Sequence, residues 1–114
     1  MRAKRFECME AERSTLGALE VKPELFPVCS LAAEDFGDDR HRTIFAAMAK
    51  LSEDGTGLDL VTLKNELAQS GQLARAGGVA YVAGLADGVP AVSAERLGAW
   101  ESLIRGSARV RRVK

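Results

Sequence analysis

Aromatic residues are scarce in this sequence, at 5% of its 114 residues, with one tryptophan and one tyrosine. A core built from it must be filled by Leu, Val, Ala and Ile, and the many alanines favour helices over strands. No stretch alternates apolar and polar residues with the period of a strand. There is one histidine, and the two cysteines, Cys8 and Cys29, lie in separate segments. That is too little for a zinc site, so each thiol is expected to be a small buried hydrophobe. No apolar run approaches the ~20 residues of a membrane span. The opening MRAKR is not followed by the apolar stretch of a signal peptide. A cytoplasmic chain with reduced thiols and no membrane partner is expected. No internal repeat or low-complexity linker is visible.

What is present suits one soluble domain: apolar residues make up 46% and charged residues 28%. A chain this long should bury roughly 65% of its unfolded surface. Net charge is zero, but it is unevenly spread. Residues 6–104 carry 8 basic and 16 acidic side chains, and the remaining bases sit at the two ends. An acidic body of this kind is not an obvious nucleic-acid reader.

The apolar periodicity predicts short helices separated by polar joints. The first is expected over Glu10 to Glu20, with Ala11, Thr15, Leu16, Ala18 and Leu19 inward. In VKPELFPVCSL, Pro23 suits a helix start, but Pro27 one turn later lacks a needed N–H, so a short or distorted helix is predicted. Asp38 or Asp39 should cap a helix carrying Ile44, Phe45, Met48 and Leu51, closed by Gly55. Asp59 should cap the next, with Leu60, Leu63 and Leu67 in one stripe and Gly71 at its end. Val79, Val82, Leu85 and Ala86 mark another, broken by Gly88 and Pro90. The last runs from Ser93, with Leu97, Trp100, Leu103 and Ile104 as its apolar face. The expected fold is all-α, a bundle of about six short helices.

RAGGVAYVAGLADG, residues 75–88, holds four glycines and raises the question of a phosphate site. A Walker-type loop needs a Lys and a hydroxyl after its glycines, but Gly78 is followed by Val79, Ala80 and Tyr81. A dinucleotide fingerprint needs a preceding strand, and none is predicted. The pair Gly77-Gly78 is therefore expected to be a joint, one glycine at positive φ and the other easing helix packing. Gly84 inside the helix is expected to mark a tight helix crossing. His41 sits in DDRHRTIF beside acidic residues, as a general base would, but is expected to pack or cap locally. The carboxylates read as scattered or solvent-facing. No catalytic, cofactor or metal site is assigned. The C-terminal helix is the candidate partner surface, through Trp100, Leu103, Ile104, Arg105, Arg109 and Arg112. Its arginines suit a helix C-terminus or an acidic partner.

The order of these motifs resembles the N-terminal domain of the bacterial replicative DNA helicase family DnaB. The matching positions are Ala11, Glu12, Leu16, Gly17 and Ala18. They continue with Asp35, Phe36, His41, Ile44 and Phe45, then Asp59 to Leu63, then Gly77, Gly78, Tyr81, Leu85, Val89 and Pro90. Together they cover roughly residues 10–112. The resemblance implies a compact helical domain in a collar above a hexameric ATPase ring, acting in ring assembly and primase docking. It carries no ATPase chemistry; ATP and Mg²⁺ belong to another domain of such a helicase, itself an ATP-dependent enzyme. Glu12, Gly17, Phe36, His41, Ile44, Phe45, Asp59, Gly77, Gly78, Tyr81 and Pro90 are its structural motif residues, with His41 bonding across the turn-helix corner.

The expected division is a basic N-terminal arm over 1–9, a helical head over 10–92 and a C-terminal helix over 93–114. In the family that helix begins a helical hairpin, and the P-loop lies beyond it, so this chain is expected to be a fragment of a longer one. Its partners would be other helicase subunits and primase, with DNA contact weak or absent. A last helix missing its hairpin partner should give weak self-association. Two alternatives stand: a stand-alone helical adaptor for helicase or primase, and a small nucleic-acid-binding module using the C-terminal basic helix.

Overall fold

The computed structural model describes residues 2–87, 89 and 93–113, with side chains described from Cys8 to Val110. These residues form α1 (Arg2–Val21), 3-10 helices at Pro23–Val28 and Ala33–Asp35, α2 (Asp39–Glu53), α3 (Leu60–Gln69), α4 (Val79–Gly84) and α5 (Ala94–Val113). Among the described residues there is no strand. The fold is the all-α bundle that the sequence predicts.

Local chemistry sets most boundaries. The Asp38 carboxylate accepts from the Arg40 N–H at 2.8 Å and caps α2. At α3 the capping is reciprocal: Asp59 accepts from the Thr62 N–H at 2.9 Å, and Thr62 Oγ1 accepts from the Asp59 N–H at 3.0 Å. Gly55 and Gly71 follow these helices at φ +74° and +73°. Pro23 opens the first 3-10 helix and Pro27 lies inside it, so the segment winds tightly and stops after six residues. Asp59→Ala removes one side of the reciprocal cap. It is expected to cost about 1 kcal/mol, read as a lower urea midpoint at unchanged slope.

α1 starts eight residues earlier than the predicted Glu10, so residues 2–9 continue the helix. They contain no Gly or Pro, and Cys8 among them meets α5. Cys8 is buried, and its Sγ–H donates to the Leu103 carbonyl on α5 at 3.2 Å. α1 and α5 make the most extensive helix pair, and α2 packs on α3. Leu16, Leu19, Phe36, Ile44, Met48, Leu63, Leu67, Val82, Leu97 and Ile104 form the centre of one core. Phe45 joins two rings within it, at 5.3 Å from Phe26 and 5.0 Å from Phe36.

Three expectations are corrected. The buried stripe of α5 is Leu97, Glu101, Ile104 and Ala108, whereas Leu103 is 44% exposed. A strictly apolar count misplaces the stripe because a glutamate occupies one of its inward positions. Val79, the first residue of α4, is 46% exposed although it lies in an apolar run, and Val82 is the buried residue of that helix. Gly84 marks no crossing: a Cβ there would meet nothing within 4 Å. The close approach is at Gly17 on α1, where a Cβ would lie 2.1 Å from the Leu85 carbonyl oxygen. The breaks assigned to Gly88 and Pro90 lie outside the described residues.

Candidate functional site

Three separated motif pieces converge at one buried cluster. α1 supplies Glu12, which is 2% exposed, and the start of α2 supplies His41, fully buried. α4 supplies Tyr81, which is half-buried. The Glu12 carboxylate accepts from the Gly37 N–H at 2.6 Å and meets His41 Nδ1 at 2.6 Å. His41 Nε2 lies 2.6 Å from the Tyr81 hydroxyl. A neutral imidazole donates through one nitrogen and accepts through the other. Glu12 acts as an acceptor toward the 37–38 turn, so Nδ1 carries the proton and donates to it. Nε2 then accepts from the Tyr81 O–H.

The cluster continues outward. The Arg40 guanidinium sits 4.3 Å from the Tyr81 ring centroid. Two hydrogen bonds of 3.0 Å run from Arg40 to Asp38. That pairing holds the Asp38 carboxyl down at about 2, the Arg40 hydrogen bond outweighing the effect of burial. On the other side, Gly77 has φ +102°, and a Cβ there would fall 2.8 Å from Tyr81 Cδ2. Gly77 thus lets the Tyr81 ring lie against the loop backbone. Gly78 also has positive φ, +89°, with open space around it, so it serves the turn rather than helix packing.

A carboxylate, an imidazole and a hydroxyl in line are the parts of an acid–base relay. Here each polar atom is satisfied by another member, and no face of His41 reaches solvent. The cluster fastens α1, α2 and α4 together. The glycine pair does not suit a phosphate either. α4 has only six residues, and Gly77 is occupied with Tyr81. This glycine pair therefore does not fit the phosphates of ATP.

Glu12 is thus neither scattered nor solvent-facing, and it corrects that reading of the carboxylates. The signal for it was available, since Ala11, Thr15, Leu16 and Leu19 define an inward face of α1 and Glu12 lies within it. Gly17, Phe36, Ile44 and Phe45 are core positions, and Asp59 is an exposed cap.

A second polar cluster joins α5 to the loop after the first 3-10 helix. Glu101 is 7% exposed and accepts from the Ser30 hydroxyl at 2.9 Å. Arg105 lies 3.6 Å from Glu101 and also donates to Ser30 Oγ. Burial pushes the neighbouring Cys29 thiol up to about 11, which leaves it protonated and unreactive at neutral pH.

The candidate partner residues of α5 therefore divide. Ile104 is fully buried in the chain's own core and is closed to a partner. Trp100 is half-buried, and Arg105 is engaged by Ser30 and Glu101. Leu103 and Val110 are 44% and 67% exposed and lie two turns apart on one side, with Arg109 also exposed. The Arg112 side chain and Pro90 lie outside the described residues. Among the described residues, no helix is long and apolar enough to cross a membrane.

With this geometry the chain can be set beside known proteins. Residues 5–100 match the family model of the DnaB-like helicase N terminal domain. The chain is 43% identical over 86 residues to the replicative DNA helicase DnaB of Geobacillus stearothermophilus, covering 74% of this chain and 19% of that protein. It is 37% identical over 84 residues to the replicative DNA helicase DnaC of Bacillus subtilis (strain 168), covering 72% and 18% respectively. The crystal structure of the N-terminal domain of DnaB helicase from Mycobacterium tuberculosis overlays with a TM-score of 0.82 at 30% identity, covering 92% of this chain and 75% of that one. A DnaB-like replicative helicase, described with its interactions with primase, overlays at 0.76 and 25% identity, covering 90% and 24%. The chain thus spans about a fifth of the length of these two sequence relatives.

Proposed function

Because this chain belongs to the DnaB-like helicase N-terminal domain family, we propose that it is the non-catalytic collar domain of a replicative DNA helicase. In this reading it works by recognition. It places helix faces for neighbouring subunits in ring assembly and for primase docking in the cytoplasm. ATP and Mg²⁺ would be bound by another domain of the helicase, which would carry the DNA-unwinding activity. The observation that carries the reading is the overlay on a DnaB N-terminal domain at a TM-score of 0.82. The closed Glu12–His41–Tyr81 cluster supports it, because its own polar groups satisfy one another and fasten helices rather than present a reactive group. DNA contact is a minor part of this reading, since Arg105 is already bound within the chain.

The test is binding. The domain should self-associate weakly in sedimentation and bind a cognate primase with a Kd on the order of micromolar, in the range of transient interfaces. Leu103→Asp with Val110→Asp places two charges on the exposed side of α5. The pair should weaken self-association at least tenfold while leaving the helix content unchanged. A strictly monomeric domain with no primase binding at high concentration would overturn the proposal.

A further inference from the structure

Among the described residues two buried carboxylates lie outside both polar clusters: Asp35, which accepts from the Ala32 N–H at 2.8 Å, and Glu20. Glu20 follows Gly17 by three residues on α1 and so lies on the same side of that helix. It is 8% exposed, and neither of its carboxylate oxygens has a hydrogen-bond partner. The charge that acts on it is a second carboxylate, Asp87, in the turn after α4. The other charged residues at the joints of α1 and α5 are Lys22, Glu24, Glu95 and Arg96, and all four are exposed. Next to Glu20 the helices are in tight contact, since a Cβ on Gly17 would sit 2.1 Å from the Leu85 carbonyl oxygen and 2.7 Å from Val89 Cγ2.

An unpartnered buried carboxyl is tolerated as the neutral acid and opposed as the anion. Burial, and after it the charge of Asp87, push Glu20 from an ordinary 4.5 up to about 8.

We propose that Glu20 is a proton-held latch between α1 and the turn that follows α4. Protonated, it stays in the core. Ionised, it is repelled by Asp87 and draws in water, and the Gly17–Leu85 contact parts. The latch belongs to the domain itself and rests on no assignment of its partners. Since Glu20 is raised in the folded state, its contribution is fully present below pH 4.5 and is lost as pH rises through about 8. In that window the folding constant should fall by about tenfold per pH unit.

Carbon NMR of glutamate-labelled protein over pH 4 to 10 reads the group directly, with Glu20 assigned by its loss in Glu20→Gln. The expected midpoint is near 8. Amide exchange at Leu85 to Asp87 should accelerate through the same range, beyond its intrinsic rise with pH, in the natural protein. It should not in Glu20→Gln, which removes the charge and is expected to be the more stable protein at neutral pH. A midpoint at the ordinary carboxyl value overturns the proposal. So does a raised midpoint with identical exchange in the two proteins.

Discussion

Gly17→Ala should lower stability by about 2 kcal/mol, although alanine is the better helix former. In an open helix the change gains ~1 kcal/mol. Here the new methyl would meet the Leu85 carbonyl oxygen at 2.1 Å and its carbon at 2.9 Å. These are backbone atoms, which cannot turn aside as a flexible side chain can. Val89 Cγ2 at 2.7 Å closes a further direction. Overpacking a core typically costs ~1–3 kcal/mol, and a clash with backbone belongs at or above the top of that range. The net loss should lower Tm by roughly 10 °C in a domain of this size. Gly84→Ala is the matched control. It meets nothing within 4 Å, so it should be neutral or raise stability by up to ~1 kcal/mol. If the two substitutions behave alike in thermal melts, the α1–α4 contact is looser than this geometry.

The exchange of roles between Gly17 and Gly84 shows which features the sequence carries. Asp38, Asp59, Pro23 and Pro27 were legible because each acts on its own few residues: a carboxylate reaching an N–H two or three positions on, or a ring that removes one. Ile44, Phe45, Met48 and Leu51 were legible because helical period alone puts them on one face. A glycine inside a helix shows only that something could approach, and whether it does depends on where another helix lies. The polar interior was hidden for a related reason. Glu101 and Glu20 read as solvent residues because a lone glutamate on a helix usually is one. Only the fold brings Ser30 to Glu101, or Asp87 toward Glu20. Family likeness found Glu12, His41, Gly77 and Tyr81 as separate motif positions. Their meaning as one hydrogen-bonded chain needed the arrangement of α1, α2 and α4.

That chain makes the second large prediction. His41→Ala should destabilise the domain by about 3–5 kcal/mol, because it strands the Glu12 carboxylate in the core without its partner and opens a cavity. For a domain whose total is on the order of 5–15 kcal/mol, this brings unfolding close to working temperature. Tyr81→Phe removes only the hydroxyl and leaves Nε2 unsatisfied, for about 1–3 kcal/mol. Glu12→Gln separates pairing from packing. Its amide oxygen can still accept from the Gly37 N–H, which turns its NH₂ toward His41 Nδ1. The imidazole must then hold its proton on Nε2 and donate it to the Tyr81 oxygen, which reverses the direction of the chain. Nitrogen NMR of His41 should therefore report opposite tautomers in the natural protein and in Glu12→Gln, with the latter only modestly less stable. The double change Glu12→Leu with His41→Leu removes both polar groups and should cost less than His41→Ala alone. Urea denaturation orders all four. A His41→Ala protein within about 1 kcal/mol of the natural one would mean that water replaces the imidazole beside Glu12. The cluster would then be a hydrated corner rather than the fastening of three helices.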